Sequence, residues 1–130
     1  MKTLISWIAK NNDFDKGQFK PNGPTGSFHK YFFKDHERHI LLSGEESAEN
    51  DIRVIRFLNY MALNYPERIV EVRYLNIADP IDHQEIQSKV APILAECKDD
   101  KIDIYISPGT PAMQLVWYLC DMSLGLNTTL

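Results

Sequence analysis

The sequence predicts an α/β domain, a Rossmann-like three-layer sandwich with a mainly parallel central sheet. Three observations carry that prediction. Short apolar runs recur at Leu4–Ile8, Ile40–Leu42, Ile69–Leu75 and Ile102–Ile106. Between the later runs lie segments whose apolar residues follow the 3.6-residue helical period. Polar turns containing Gly or Pro separate the two kinds of segment. Strands alternating with helices give a parallel sheet with helices on both faces. The 130 residues suit one domain, 1–130, and 44% apolar with 25% charged residues fits a soluble globular chain.

Leu4, Ile5, Trp7 and Ile8 form a nearly continuous apolar run, the pattern of a strand covered on both faces. Asn11 to Gly26 reads as a long polar connection, and such loops are often functional. Phe28 to Phe33 is aromatic and fits a helix or a strand. Ile40-Leu41-Leu42 is a second buried strand ending in Ser43-Gly44. Ser47 or Asn50 can cap the following helix, whose expected apolar stripe is Ile52, Ile55, Leu58, Met61, Ala62 and Tyr65. Pro66 ends it, and Ile69 to Leu75 is the third strand. Asp82-His83-Gln84-Glu85 resembles a capping box. Ile86, Val90, Ile93, Leu94 and Cys97 then form one stripe, which Pro92 is expected to kink or cut short. Ile102, Ile104 and Ile106 mark a fourth strand. Thr110 as N-cap with Pro111 in the first helical position starts the last helix. Asn127 to Leu130 looks like the beginning of a fifth strand, so the chain is expected to be a piece of a longer protein.

Composition excludes several classes of function. The net charge of -4 argues against a general nucleic-acid or membrane-surface binder. No apolar run approaches the ~18 residues that span a bilayer. Cys97 and Cys120 sit in helical patterns beside apolar residues and read as buried thiols of a cytoplasmic protein rather than a disulfide. Neither GxGxxG, GxxxxGK[ST] nor GxSxG occurs, and no paired-cysteine zinc spacing is present. No cofactor or metal is expected. His36 and His39 are spaced to meet on a helix, but without matching ligands they read as a solvated loop edge.

In a sheet of this kind ligands bind at the carboxyl ends of the strands. Three loops converge there: Ala9 to Asp13, Ser43 to Glu46, and Ser107-Pro108-Gly109-Thr110. The last is the most informative. Gly109 permits a tight turn or close approach, Thr110 offers a hydroxyl, and the helix behind presents unpaired N–H groups and a positive dipole end. That combination suits an anion, phosphate above all. The same residues also make an ordinary strand-to-helix turn, and the local sequence does not separate the two readings. Ser43 and Gly44 form a second polar rim, whereas Glu45 and Glu46 would repel phosphate. Lys and Arg outnumber Asp and Glu by seven to four over the first forty residues, which would draw an anion locally.

Taken together, Leu4-Ile5-Ser6-Trp7-Ile8 with Asn12-Asp13, His39-Ile40-Leu41-Leu42-Ser43, and Ile104 to Gln114 with Trp117 resemble a known sensor domain. It is the amino-terminal domain of the RNA-repair transcriptional regulators, sigma-54-dependent activators, within the CRISPR-associated Rossmann fold (CARF) superfamily. The resemblance implies a homodimeric sensor that binds a cyclic oligonucleotide or an RNA terminus and relays binding to a downstream module. DNA would be reached only through that module. By position, Ser107, Gly109 and Thr110 match the phosphate-facing loop, Pro108 between them is a ligand-binding candidate of the same loop, and Gln114 lies one turn behind. Ser6 and the loop Lys10, Asn11, Asn12 and Asp13 match the segment that meets bases or ribose. Phe14 to Gly26 is an insert outside the family pattern. Two other readings stand beside the sensor: a ring-nuclease-like enzyme using Ser107, Thr110 and Lys10, and a protein-interaction scaffold.

Overall fold

The computed structural model describes residues 2–8, 14–16, 18–31, 36–45, 52–105, 110–124 and 128–129. The first strand, β1 (Lys2–Trp7), is followed by a small hairpin of β2 (Phe14–Asp15) and β3 (Gln18–Phe19), then α1 (Pro24–Tyr31). β4 (Arg38–Ser43), α2 (Ile52–Asn64), β5 (Ile69–Tyr74), α3 (His83–Glu96), β6 (Lys101–Tyr105), α4 (Pro111–Leu124) and β7 (Thr128–Thr129) complete the order. The main sheet runs β5-β4-β1-β6-β7, and every neighbouring pair is parallel. The chain steps outward from β1 to β4 and β5, then crosses back to β6 on the other side of β1. The strand order therefore reverses between β1 and β6, where doubly wound sheets place their ligands. The expected fold class is the one observed.

The two-residue side-chain period sorts the core into layers. Ile5, Trp7, Ile40, Leu42, Ile102 and Ile104 face α3 and α4 and form the larger apolar core with Val90, Val116 and Trp117. The Trp7 and Trp117 rings lie 6.4 Å apart within it. On the opposite face Leu41 packs with Phe14, Phe57 and Met61, flanked by Val70 and Val72. Cys97 and Cys120 are both buried and unpaired with each other. Among the described residues no helix is long and apolar enough to cross a membrane.

Four sequence expectations change. The buried face of α2 is Val54, Phe57 and Met61, while Ile52 and Ile55 are 57% and 51% exposed. Pro92 lies inside α3 and does not cut it short: the helix continues to Glu96. A proline inside a helix costs about 3 kcal/mol, from the lost hydrogen bond together with the clash of its ring with the preceding turn. Burial of Ile86, Val90, Ile93 and Leu94 outweighs that, since each such side chain contributes about 1.5–3 kcal/mol. The insert expected as open loop carries the β2–β3 hairpin, whose Phe19 ring meets Phe57 at 5.1 Å and Tyr60 at 4.9 Å. His36 and His39 occupy neither a helix nor a solvated edge. His39 is in β4 and 1% exposed, and the His36 side chain is 5% exposed against Asp103. They are buried because Ser6, His29 and Asp103 satisfy them from distant parts of the chain.

Candidate functional site at the carboxyl ends of the strands

The first turn of α4 is built as the sequence indicates. Thr110 caps it: its hydroxyl oxygen accepts from the Met113 N–H at 3.2 Å, and its carbonyl accepts from the Gln114 N–H at 3.0 Å. Pro111 fills the first helical position, where a missing N–H costs nothing. With Met113 taken by the cap, Ala112 supplies the remaining amide of this turn. The Thr110 hydroxyl also donates to the Pro80 carbonyl at 2.7 Å. Its single proton is therefore spent on the protein, and Thr110 shapes the rim rather than offering a free donor to it.

Pro80 belongs to a strap that leaves β5 and crosses the rim. Its backbone continues the sheet ladder past the strand ends, with Leu75 N–H on Ser43 O at 2.8 Å, Ile77 N–H on Gly44 O at 2.9 Å and Asn76 N–H on Glu45 O at 3.0 Å. Asn76 takes a left-handed conformation at φ 49°. Asp82 caps α3 by accepting from the Gln84 and Glu85 amides. The Glu85 carboxylate reaches past that cap to accept from Ala78 N–H at 3.0 Å and Asp79 N–H at 2.9 Å. These backbone bonds, then Lys89, hold the Glu85 carboxyl below the usual range. Asp82-x-x-Glu85 was legible as a capping signal. That Glu85 would grip the strap was not, and neither were Ile77, Pro80 and Met113 as rim residues.

The structure brings part of the predicted set together. Gly44 lies against Ile77 and the first turn of α4: a Cβ added there would sit 3.7 Å from Ile77 and 4.0 Å from the Met113 methyl group. Ser43 is buried, and its hydroxyl accepts from the Glu45 N–H at 3.2 Å. Gln114 is half-buried on α4. Trp7, the last residue of β1, is buried and its indole N–H has no hydrogen-bond partner among the described residues. Lys10, Asn11, Asn12, Asp13, Ser107, Pro108 and Gly109 lie outside the described residues.

Ser6 is placed elsewhere. It is 2% exposed and bonded at 2.8 Å to His39 Nε2, on the face opposite α4. His39 Nδ1 is 2.8 Å from His29 Nε2, and His29 Nδ1 is 2.9 Å from Arg68 Nη1. Arg68 can only donate, which fixes every bond in the row. His29 Nδ1 accepts, so His29 Nε2–H donates to His39 Nδ1, and His39 Nε2–H donates to the Ser6 oxygen. His39 therefore cannot serve as a base toward Ser6, and this is no nucleophilic dyad. Burial is the main cause that lowers both imidazoles, His29 to about 3 and His39 well below its ordinary value. Both rings stay neutral, as the bond directions require. Among the described residues no group of three or more His, Cys, Asp or Glu is placed to hold a metal ion.

Comparison with known proteins places this geometry. No family model matches the chain, and no curated protein does. Among solved structures, Csm6 of Enterococcus italicus, bound to cyclic hexa-2'-fluoro-hexa-dAMP, matches 98% of this chain at TM-score 0.72 and 15% identity. The chain spans only 32% of that protein's length. At this identity the likeness is one of fold, and nothing in it bears on sigma-54 activators: the chain shares the Rossmann-like architecture that Csm6, a CARF protein, carries.

Proposed function

We propose that this chain is a ligand-sensing domain that binds a cyclic oligoadenylate at the carboxyl-end rim of its sheet and relays occupancy to a downstream regulatory module. The observation that carries the reading is a fold match over 98% of this chain, and 32% of the other, to a protein solved with a cyclic hexanucleotide analogue. The rim supports it physically, because Gly44 and the α4 first turn adjoin at the switch point and the helix dipole favours phosphate there. In this reading the Ala112 amide and the backbone N–H groups of Ser107 and Gly109 hold phosphate, with Pro108 shaping the loop between them, and Lys10 supplies the positive charge that Glu45 opposes. Asn11, Asn12 and Asp13 face bases or ribose, with Gln114 one turn behind. A second copy of the chain would complete the contacts to a ring-shaped ligand in a homodimer. Moving such a switch from mostly off to mostly on takes about 5 kcal/mol of differential binding, within reach of several phosphate hydrogen bonds made in one state only.

Thermal unfolding tests the reading. The panel holds cyclic tri-, tetra- and hexa-adenylate, linear hexa-adenylate, and short RNAs ending in 2',3'-cyclic phosphate, 3'-phosphate or hydroxyl. A bound ligand at a hundredfold excess over its Kd stabilises by about 2.7 kcal/mol. One cyclic oligoadenylate is expected to stabilise the wild type, with the effect reduced in Lys10→Ala. Stabilisation by the RNA ends alone would move the signal to an RNA terminus, and conversion of the cyclic ligand to linear product would make the domain a ring nuclease. No shift with any of them would overturn the reading.

A further inference from the structure

The helix α1 is held to the sheet differently from α2, α3 and α4. Neither apolar core includes a residue of α1. Its buried side chains are Thr25 and His29, Phe28 is half-buried against Tyr105 at 5.3 Å, and Tyr31 is 61% exposed. A row of polar groups beneath, buried at His29, His39 and Ser6, fastens α1. His29 meets His39 on one side, and on the other Arg68 donates to both the His29 ring and the His29 carbonyl, the latter at 3.1 Å. The Arg68 guanidinium is stacked 4.1 Å over the Tyr65 ring, which fixes its position.

We infer that α1 is an acid-released element, latched by the directional chain Arg68 → His29 → His39 → Ser6 and freed when that chain takes up a proton. The argument is one of donors and acceptors. A proton added to His39 places Nδ1–H against His29 Nε2–H. If His29 yields by moving its own hydrogen to Nδ1, that hydrogen then faces Arg68 Nη1–H. Either way two donors confront each other, in a buried space at His29–His39 or a partly buried one at His29–Arg68, which costs desolvation of an unpaired group, most at the buried pair. Relief comes when Arg68 withdraws, and Arg68 is the bond that ties the end of α1 to the connection before β5.

Tyr65, Glu67 and Arg68 come from the α2–β5 connection and His36 from the segment ahead of β4. Asp103 of β6 is engaged by His36 at 2.6 Å and by Lys2 of β1 at 3.4 Å rather than by either buried ring. Because β1 and β4 are parallel, α1 must run back against them, which sets its first turn toward the carboxyl-end rim. Release of α1 would therefore loosen one side of that rim, whatever ligand binds there.

Hydrogen exchange on the intact chain at pH 7.5 and pH 5.0, expressed as protection factors, tests the inference. One proton taken up from an ordinary value of 6.5 gives about a thirtyfold loss of protection in α1 by pH 5.0, and α1 exchanges ahead of α3 and α4, whose amides report only the global loss of stability. In Arg68→Gln the amide oxygen can accept from a protonated His29, so α1 is expected to stay protected at pH 5.0. Imidazole nitrogen shifts at pH 7.5 provide a reading that needs no variant: both rings should carry hydrogen on Nε2. Hydrogen on Nδ1 of either ring would overturn the chain, and equal protection of α1 at both pH values, or α1 and α3 sharing one protection factor at pH 5.0, would overturn the release. None of these readouts involves a nucleotide.

Discussion

Replacing Thr110 with valine removes one hydroxyl that makes two bonds while keeping the branched shape. The lost acceptor for Met113 N–H is an N-cap, and such losses cost about 1 kcal/mol. The lost donor to Pro80 frees a carbonyl at an exposed position, where water can replace it, so about 0.5–1 kcal/mol is appropriate. Thr110→Val should therefore destabilise the domain by about 1.5–2 kcal/mol. Urea unfolding followed by the fluorescence of Trp7 and Trp117, both buried, reads this directly. The midpoint should fall without a change in slope, and Thr110→Ser should recover more than half of the loss. A Val variant within about 0.5 kcal/mol of wild type, or a Ser variant no better than Val, would refute the double role. The point bears on ligand work too. Lost binding in Thr110→Ala would report a disturbed helix start, so Thr110→Ser is the informative control.

Three further outcomes follow from the same geometry. His29 is neutral when folded down to about pH 3 but titrates near 6.5 when unfolded, so the unfolded chain binds the extra proton between these values. Stability is complete above pH 6.5 and falls on acidification, by about 2 kcal/mol from His29 alone at pH 5.0, with His39 adding in the same direction; urea midpoints that stay level from pH 7 to 5 would contradict this. A Cβ at Gly26 would sit 2.3 Å from the Pro21 carbonyl oxygen, so Gly26→Ala should lower stability by about 1–3 kcal/mol despite alanine's helical preference, and a raised midpoint would contradict the contact. Burial raises the thiols of Cys97 and Cys120, so a disulfide reagent should label both slowly in the native protein and rapidly in urea.

The parts of this fold legible in sequence were those set by local pattern. The four main strands, the Thr110-Pro111 helix start and the Asp82 cap are written in adjacent residues, and each formed where expected. Periodicity was less decisive for α2, because Ile52, Ile55, Leu58 and Met61 satisfy the helical period nearly as well as Val54, Phe57 and Met61. The choice between these faces was made by Phe14, Phe19 and Leu41, which no local pattern could supply. The histidines show the same limit more sharply. His29 and His39 look like solvent residues one at a time, and become interior because each is satisfied from a distance, by the other across 10 positions and by a half-buried Arg68 across 39. At the rim, Gly44 and Thr110 were readable as turn residues at strand ends. The strap that joins them through Ile77 and Pro80 depends on tertiary contacts and carried no motif of its own.

The most direct test of the account is a map of amide chemical shifts as cyclic hexa-adenylate is titrated into the chain. Binding at the carboxyl-end rim predicts the largest changes at Gly44, Ile77, Ala112, Met113 and Gln114, with little change at Thr3, Arg38 and Asp100 at the opposite end of the sheet. Changes centred on those last residues, or none at saturating ligand, would contradict a nucleotide sensor built on this rim.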